Sequence, residues 1–122
     1  MNSIMWFTER EKAAINHVAK AMIVMDGEVE SREIVTNIIF NTKFGITVEM
    51  GDNMDLDEAL NVLAALSSEE KRAVCAYLGT LMAIDEVIDA REMFFWSLLS
   101  HRCGFPEMNV VQAATYFNNH IK

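Results

Sequence analysis

The 122-residue chain has one proline, five glycines and two cysteines. So few backbone breakers favour long helices over a sheet of many short strands. Cys75 and Cys103 permit one bridge at most, not a disulfide framework. Both fall inside helical patterns and read as reduced, packed thiols. Cations are scarce: ten Lys and Arg against 18 Asp and Glu give a net charge of −8. That balance argues strongly against nucleic-acid binding, which needs Lys and Arg on phosphates, and against docking on anionic lipid. Apolar runs such as Ala21–Met25 and Met93–Trp96 fall far short of the roughly 20 residues of a membrane span. The opening MNSIMWFTEREK lacks a basic region followed by an apolar stretch, so no signal peptide is read there. A cytoplasmic protein is expected. No Ser–His–Asp order, phosphate-binding loop or Cys-x-x-Cys motif is present, and a non-catalytic role follows.

What the chain does have is apolar side chains, 52% of residues, with 23% charged. This is a globular composition, and the length suits a single domain over 1–122. Thr8 and Glu11 have the spacing of a capping box, in which each side chain takes a free backbone N–H at a helix start. Ala14, Ile15, Val18, Met22 and Met25 then recur at helical spacing up to Asp26-Gly27. A second helix begins near Ser31, with Ile34, Val35, Ile38 and Ile39 as its expected apolar face and Gly45 as its stop.

The same design returns 59 residues later. Thr8 and Glu11 match Ser67 and Glu70; Asp26, Glu30, Arg32, Glu33 and Gly45 match Asp85, Asp89, Arg91, Glu92 and Gly104. Apolar positions match as well, Val35 with Phe94 and Ile39 with Leu98 among them. The halves are therefore about 8–47 and 67–106. Each half gains a third helix. Asp55 caps one expected to run to Leu66 with Leu56, Leu60 and Leu63 inward. Pro106 stands where a first helical residue is favoured, ahead of Val110, Ala113, Ala114 and Phe117. Ile46, Val48 and Met50 alternate like a strand, but a lone strand has no partner, so a loop or short turn is read there. The expected fold is an all-α bundle of six or seven helices from two similar halves. The helix Ala90–Cys103 is apolar around most of its circumference and is expected to be central. Phe95, Trp96 and Trp6 are the alternative surface for a second copy, making a homodimer. Methionines 22, 25, 82 and 93 are expected to fill the core; Met50, Met54 and Met108 pack locally in connecting segments.

The two interhelical turns carry the acids. Asp89 with Glu92, and more weakly Glu30 with Glu33, have capping-box spacing. Asp26 and Asp85 instead end helices, where a carboxylate meets the negative pole, and Arg32 and Arg91 stand at the positive pole of the next helix. Two wrong-signed placements in both halves point to Asp26–Arg32 and Asp85–Arg91 pairs, or to a site.

These turns resemble the signature of the TerB tellurite-resistance family. The residues that carry the resemblance are Val24 to Glu33 (VMDGEVESRE) and Leu81 to Glu92 (LMAIDEVIDARE). Glu86 replaces the Gly expected in the second copy. The resemblance covers about Thr8 to Phe117. It implies a duplicated all-helical domain, of a kind that also precedes the J-domain in a membrane-anchored co-chaperone. It further implies a non-catalytic interaction module of a bacterial stress response, with protein partners at the inner membrane face. The motif positions associated with metal binding in the family correspond to Asp26, Glu33, Asp85 and Glu92. A divalent-cation-binding protein using these turns is the second reading, set against a solvated acidic surface with helix caps. An EF-hand fails: counted from Asp26, the sixth and twelfth positions are Ser31 and Asn37, where Gly and Glu are needed. His17, His101 and His120 share no ligand spacing; His101 with Arg102 reads as favourable charge at a helix end.

Overall fold

Thr8 opens the first helix as its spacing predicts. Its backbone N–H donates to Glu11 Oε1 at 2.8 Å, and the Glu11 N–H donates to Thr8 Oγ1 at 3.1 Å. The computed structural model describes residues 7–24, 31–83 and 90–121. Among these the chain is all-helical: α1 (Glu9–Ile23), α2 (Ser31–Phe44), α3 (Leu56–Ala64), α4 (Ser68–Ala83), α5 (Ala90–Cys103) and α6 (Val110–His120). None of the described helices is long and apolar enough to cross a membrane.

The start signals recur where the 59-residue offset places them. Ser67 N–H donates to Glu70 Oε1 at 2.9 Å, and Glu70 N–H to Ser67 Oγ at 3.2 Å. The stops recur too. Gly45 and Gly104 follow α2 and α5 with φ of +68° and +67°, the left-handed conformation that ends helices at low cost only for glycine. After each stop the chain makes the same closing bond: Ile46 N–H to the Asn41 carbonyl at 2.8 Å, and Phe105 N–H to the Ser100 carbonyl at 3.0 Å. The third helices start differently. Asp55 accepts the Glu58 N–H at 2.8 Å and caps α3, which ends at Ala64 rather than Leu66. Asn109 and Gln112 form a full capping box for α6. Pro106 therefore lies in the preceding loop, not at a first helical position: the helix starts four residues later, at Val110, where the Asn109 side chain accepts the Gln112 N–H.

The central helix is α4, not α5. Seven successive residues, Ala73 to Gly79, are buried around the whole circumference of α4, followed by Leu81 and Met82. Its small residues permit this. A Cβ on Gly79 would lie 2.3 Å from the Ala113 Cβ on α6, so the two backbones approach as closely as glycine allows. α1 packs on α3 of its own half, as α4 packs on α6 in the second; α1 buries Ala14, Ile15, Val18, Ala19 and Met22, and α3 buries Ala59, Leu60 and Leu63. α5 buries only Trp96, Leu99, Cys103 and Glu92, and leaves Phe94 and Leu98 in solvent. Its hydrophobicity all round is thus not a mark of central position. α2 departs from expectation in the same direction. Its inward residues are Glu33, Phe40, Asn41 and Phe44, whereas Ile34, Val35 and Ile38 face out. Aromatic partners decide this: Phe44 meets Phe7 edge-on at 5.3 Å, and Phe40 stacks on Tyr77. Met22 and Met82 are buried as expected, and Met50, Met54 and Met108 pack on the core from their loops, but Met93 is exposed. Met25 lies outside the described residues.

The segment between α2 and α3 is a run of turns, as its sequence suggested. One buried side chain shapes it. Asn16 Nδ2 faces the carbonyls of Thr47, Val48 and Met50 at 3.2, 3.2 and 2.9 Å. Next to it, His17 Nδ1 lies 3.0 Å from the Gly51 carbonyl, and Lys20 pairs with Asp52 at 2.8 Å.

Candidate functional site

Of the four predicted site residues, two are described. Glu33 and Glu92 occupy the first turns of α2 and α5 and are buried, at 4% and 8% exposure. Carboxylates rarely go inside unless they are paired or hydrogen-bonded, and neither of these is without a partner. They sit at matched positions of the two halves. Asp26 and Asp85 lie outside the described residues, as do the expected Asp26–Arg32 and Asp85–Arg91 pairs. Among the described residues, no group of three or more His, Cys, Asp or Glu side chains could hold a metal ion.

The concave surfaces are modest. One cavity of about 360 Å³ between the end of α5 and the following loop is lined by Trp96, Ser97, Ser100, His101, Phe105 and Met108 among others. Ser97 and Ser100 make no hydrogen bond to His101 among the described residues, so no Ser–His pairing is formed there. A second cavity, of about 260 Å³, lies against the turns at Glu49–Met54 and is walled by Ala13 and Glu58. Its acids are partly neutralised, Asp52 by Lys20 and Glu58 by Arg10 at 3.5 Å.

The thiols are withdrawn from chemistry. Cys75 and Cys103 are free and buried. Burial pushes Cys75 up to about 12, and Cys103 to about 11, the nearby Arg102 and Lys71 charges opposing the rise. A nucleophilic cysteine needs the reverse shift. The Tyr77 hydroxyl is likewise raised by burial, with the Asn37 hydrogen bond pulling the other way.

The unusual surface is apolar. On α2, Ile34, Val35 and Ile38 are 46%, 54% and 55% exposed; on α5, Met93, Phe94 and Leu98 are 45%, 70% and 50% exposed. Ile34 and Val35 are the repeat partners of Met93 and Phe94. Contiguous apolar residues left in solvent mark interaction surfaces more often than scattered ones do. The spacing of these residues predicts a place in the core. Of the residues offered as the alternative surface for a second copy, Trp96 is 5% exposed and Phe95 packs partly on the core. The residue that projects is their neighbour Phe94. The available signal was the second stripe on α2, where Glu33, Asn37, Phe40 and Phe44 also keep helical spacing.

No family model matches the chain, and no curated protein matches it. Among solved structures, it is similar to the crystal structure of PG1108, a protein of unknown function from Porphyromonas gingivalis. The two are 32% identical, the match covers 93% of this chain and 97% of that one, and the TM-score is 0.76. At that identity over nearly the whole of both chains, this chain belongs to the same family as the Porphyromonas gingivalis protein.

Proposed function

We propose that this chain is a non-catalytic interaction module of a bacterial stress response, similar to the tellurite-resistance TerB domains, acting in the cytoplasm on protein partners. The observation that carries the interaction role is the pair of exposed apolar faces on α2 and α5, in which Ile34 and Val35 are the repeat partners of Met93 and Phe94. Support for the TerB-like reading comes from the motif at Val24–Glu33 and its counterpart at Leu81–Glu92, with caps, stops and buried glutamates recurring at one offset. Large apolar side chains in solvent cost solubility, and a docked partner would offset that cost at about 25 cal/mol per Å² covered. The test is crosslinking and co-purification from the native cell with wild type, Phe94→Asp and Ile38→Asp. Both changes lie at exposed positions, so the fold should survive, which circular dichroism checks. Loss of specific partners from the variants supports the reading; an unchanged partner set defeats it. A second copy as the occupant would appear as a concentration-dependent dimer in sedimentation.

The divalent-cation reading draws on the matched burial of Glu33 and Glu92. Oxygen ligands of this kind suit a hard cation, with Asp26 and Asp85 as the remaining proposed ligands. Calorimetric titration with calcium, magnesium, manganese and zinc decides it, and absence of heat with all four rejects it.

A further inference from the structure

The first half of α2 is built inside out. Among residues 32–39, the one buried side chain is the Glu33 carboxylate, while Ile34, Val35 and Ile38 stand about half in solvent. Thr36, Asn37 and Ile39 are partly buried, and of these Asn37 makes the side-chain hydrogen bonds inward: its Nδ2 donates to the Tyr77 hydroxyl and its Oδ1 accepts from Asn41 at 3.2 Å. The second half is built the usual way. Phe40 and Phe44 are buried, Lys43 Nζ donates to the Ile121 carbonyl at 2.6 Å, and the Asn41 carbonyl holds the Ile46 N–H. Gly45 follows, in the left-handed conformation.

These two halves differ in what undocking would lose. Polar groups that leave the protein find water, and the net loss is small. Buried aromatic rings that leave have no such replacement. The helix is therefore fastened at its C-terminal half and held at its N-terminal half by groups that water can satisfy. α5 supplies the contrast, because the repeat partner of Asn37 is the buried Trp96.

We propose that residues 32–39 form a flap that opens independently of the rest of the fold, hinged on the Phe40–Phe44 anchor, and that opening uncovers the Tyr77 hydroxyl. Elements with few buried apolar contacts open at lower free energy than the global fold. The flap would thus be a cryptic part of the surface, reached without unfolding the bundle.

Native-state hydrogen exchange by NMR on the full chain, in water and in low urea, tests this. The informative amides are 36–39, which lie beyond the first-turn N–H groups that exchange freely in any helix. They should exchange at least about tenfold faster than amides 95–98 at the matched place in α5, and with little urea dependence. Amides 41–44 should stay as protected as their α5 counterparts, giving a step in the middle of one helix. Exchange of 36–39 within about threefold of 95–98, or with the urea dependence of α4 amides 75–78, overturns the flap. So does uniform loss of protection along all of α2, which would mean that the aromatic anchor does not hold.

Discussion

The ring of Phe40 lies flat on the ring of Tyr77, with centroids 3.9 Å apart and planes 4° from parallel. One belongs to α2 and the other to the centre of α4, and both are fully buried. Phe117 of α6 approaches the same stack at 6.3 and 6.5 Å. Three helices thus meet through three rings. Phe40→Ala should cost about 3–5 kcal/mol, as deletion of a buried ring usually does. Urea denaturation measures it. A loss under about 1 kcal/mol would mean that α2 adds little to the stability of the bundle.

Gly79→Ala inverts the usual rule. Alanine is the better helix former by about 1 kcal/mol. Here its Cβ would meet the Ala113 Cβ at 2.3 Å and the Trp96 ring at 3.2 Å. Overpacking of this sort costs about 1–3 kcal/mol, so a net loss is expected. Ala113→Gly in the same chain should recover part of it, and a double-mutant cycle measures the coupling.

The thiols give a pH dependence with a definite sign. Unfolded cysteine titrates near 9.0, while burial holds Cys75 at about 12 and Cys103 at about 11 in the fold. The native protein keeps protons that the unfolded chain releases. This contribution is full below about pH 9 and declines as pH rises towards the native values. Replacing both thiols with alanine should flatten the stability curve in that window. In the native state both thiols should also resist a disulfide reagent at pH 8, and both should react once the chain is denatured.

Asn16→Asp reverses the polarity of a buried donor. Asn16 Nδ2 faces three carbonyl oxygens, so a carboxylate there would face three like-signed dipoles without water. The variant should be less stable than wild type at neutral pH. Burial and repulsion raise the acid's pKa in the fold, so the deficit should shrink as pH falls into the ordinary carboxylate range. Thermal melts across pH 4–7 would read this directly. A pH-independent deficit would assign the loss to packing instead.

How far the sequence was legible depends on the distance over which each signal acts. Capping boxes at Thr8, Ser67 and Asn109 and stops at Gly45 and Gly104 use partners within a few residues, so they are carried by local spacing. The first two boxes and both glycines are legible from spacing alone; at the third, Asn109 competes with Pro106 as a start signal, and the side-chain cap wins. Which face of α2 goes inward is set by Phe7 and Tyr77, 37 positions or so away from their partners Phe44 and Phe40. The Ile and Val stripe beside it is more hydrophobic, and no local rule chooses between the two. α4 was harder still, because a central helix made from Ala73, Ala76 and Gly79 has little hydrophobic weight per residue. The candidate surface stayed hidden for the same reason: exposure of Phe94 and Ile38 is a property of what does not pack on them. Glu33 and Glu92 were singled out from their place in the motif, and their burial could not be read from spacing.

Asn16 leaves a particular freedom behind. It grips the turn after α2 only through main-chain oxygens, which every amino acid supplies. The shape of that turn is thus written largely in α1, some thirty residues upstream, and within the turn in Gly51, whose φ of +86° and closeness to the Ala13 carbonyl leave no room for a side chain. Thr47 and Val48, both exposed, can be exchanged widely without loss of the fold's geometry, whereas Met50 also packs on the core and cannot. For anyone grafting a peptide or a reporter onto this protein, positions 47 and 48 form an adaptable socket whose lock lies elsewhere.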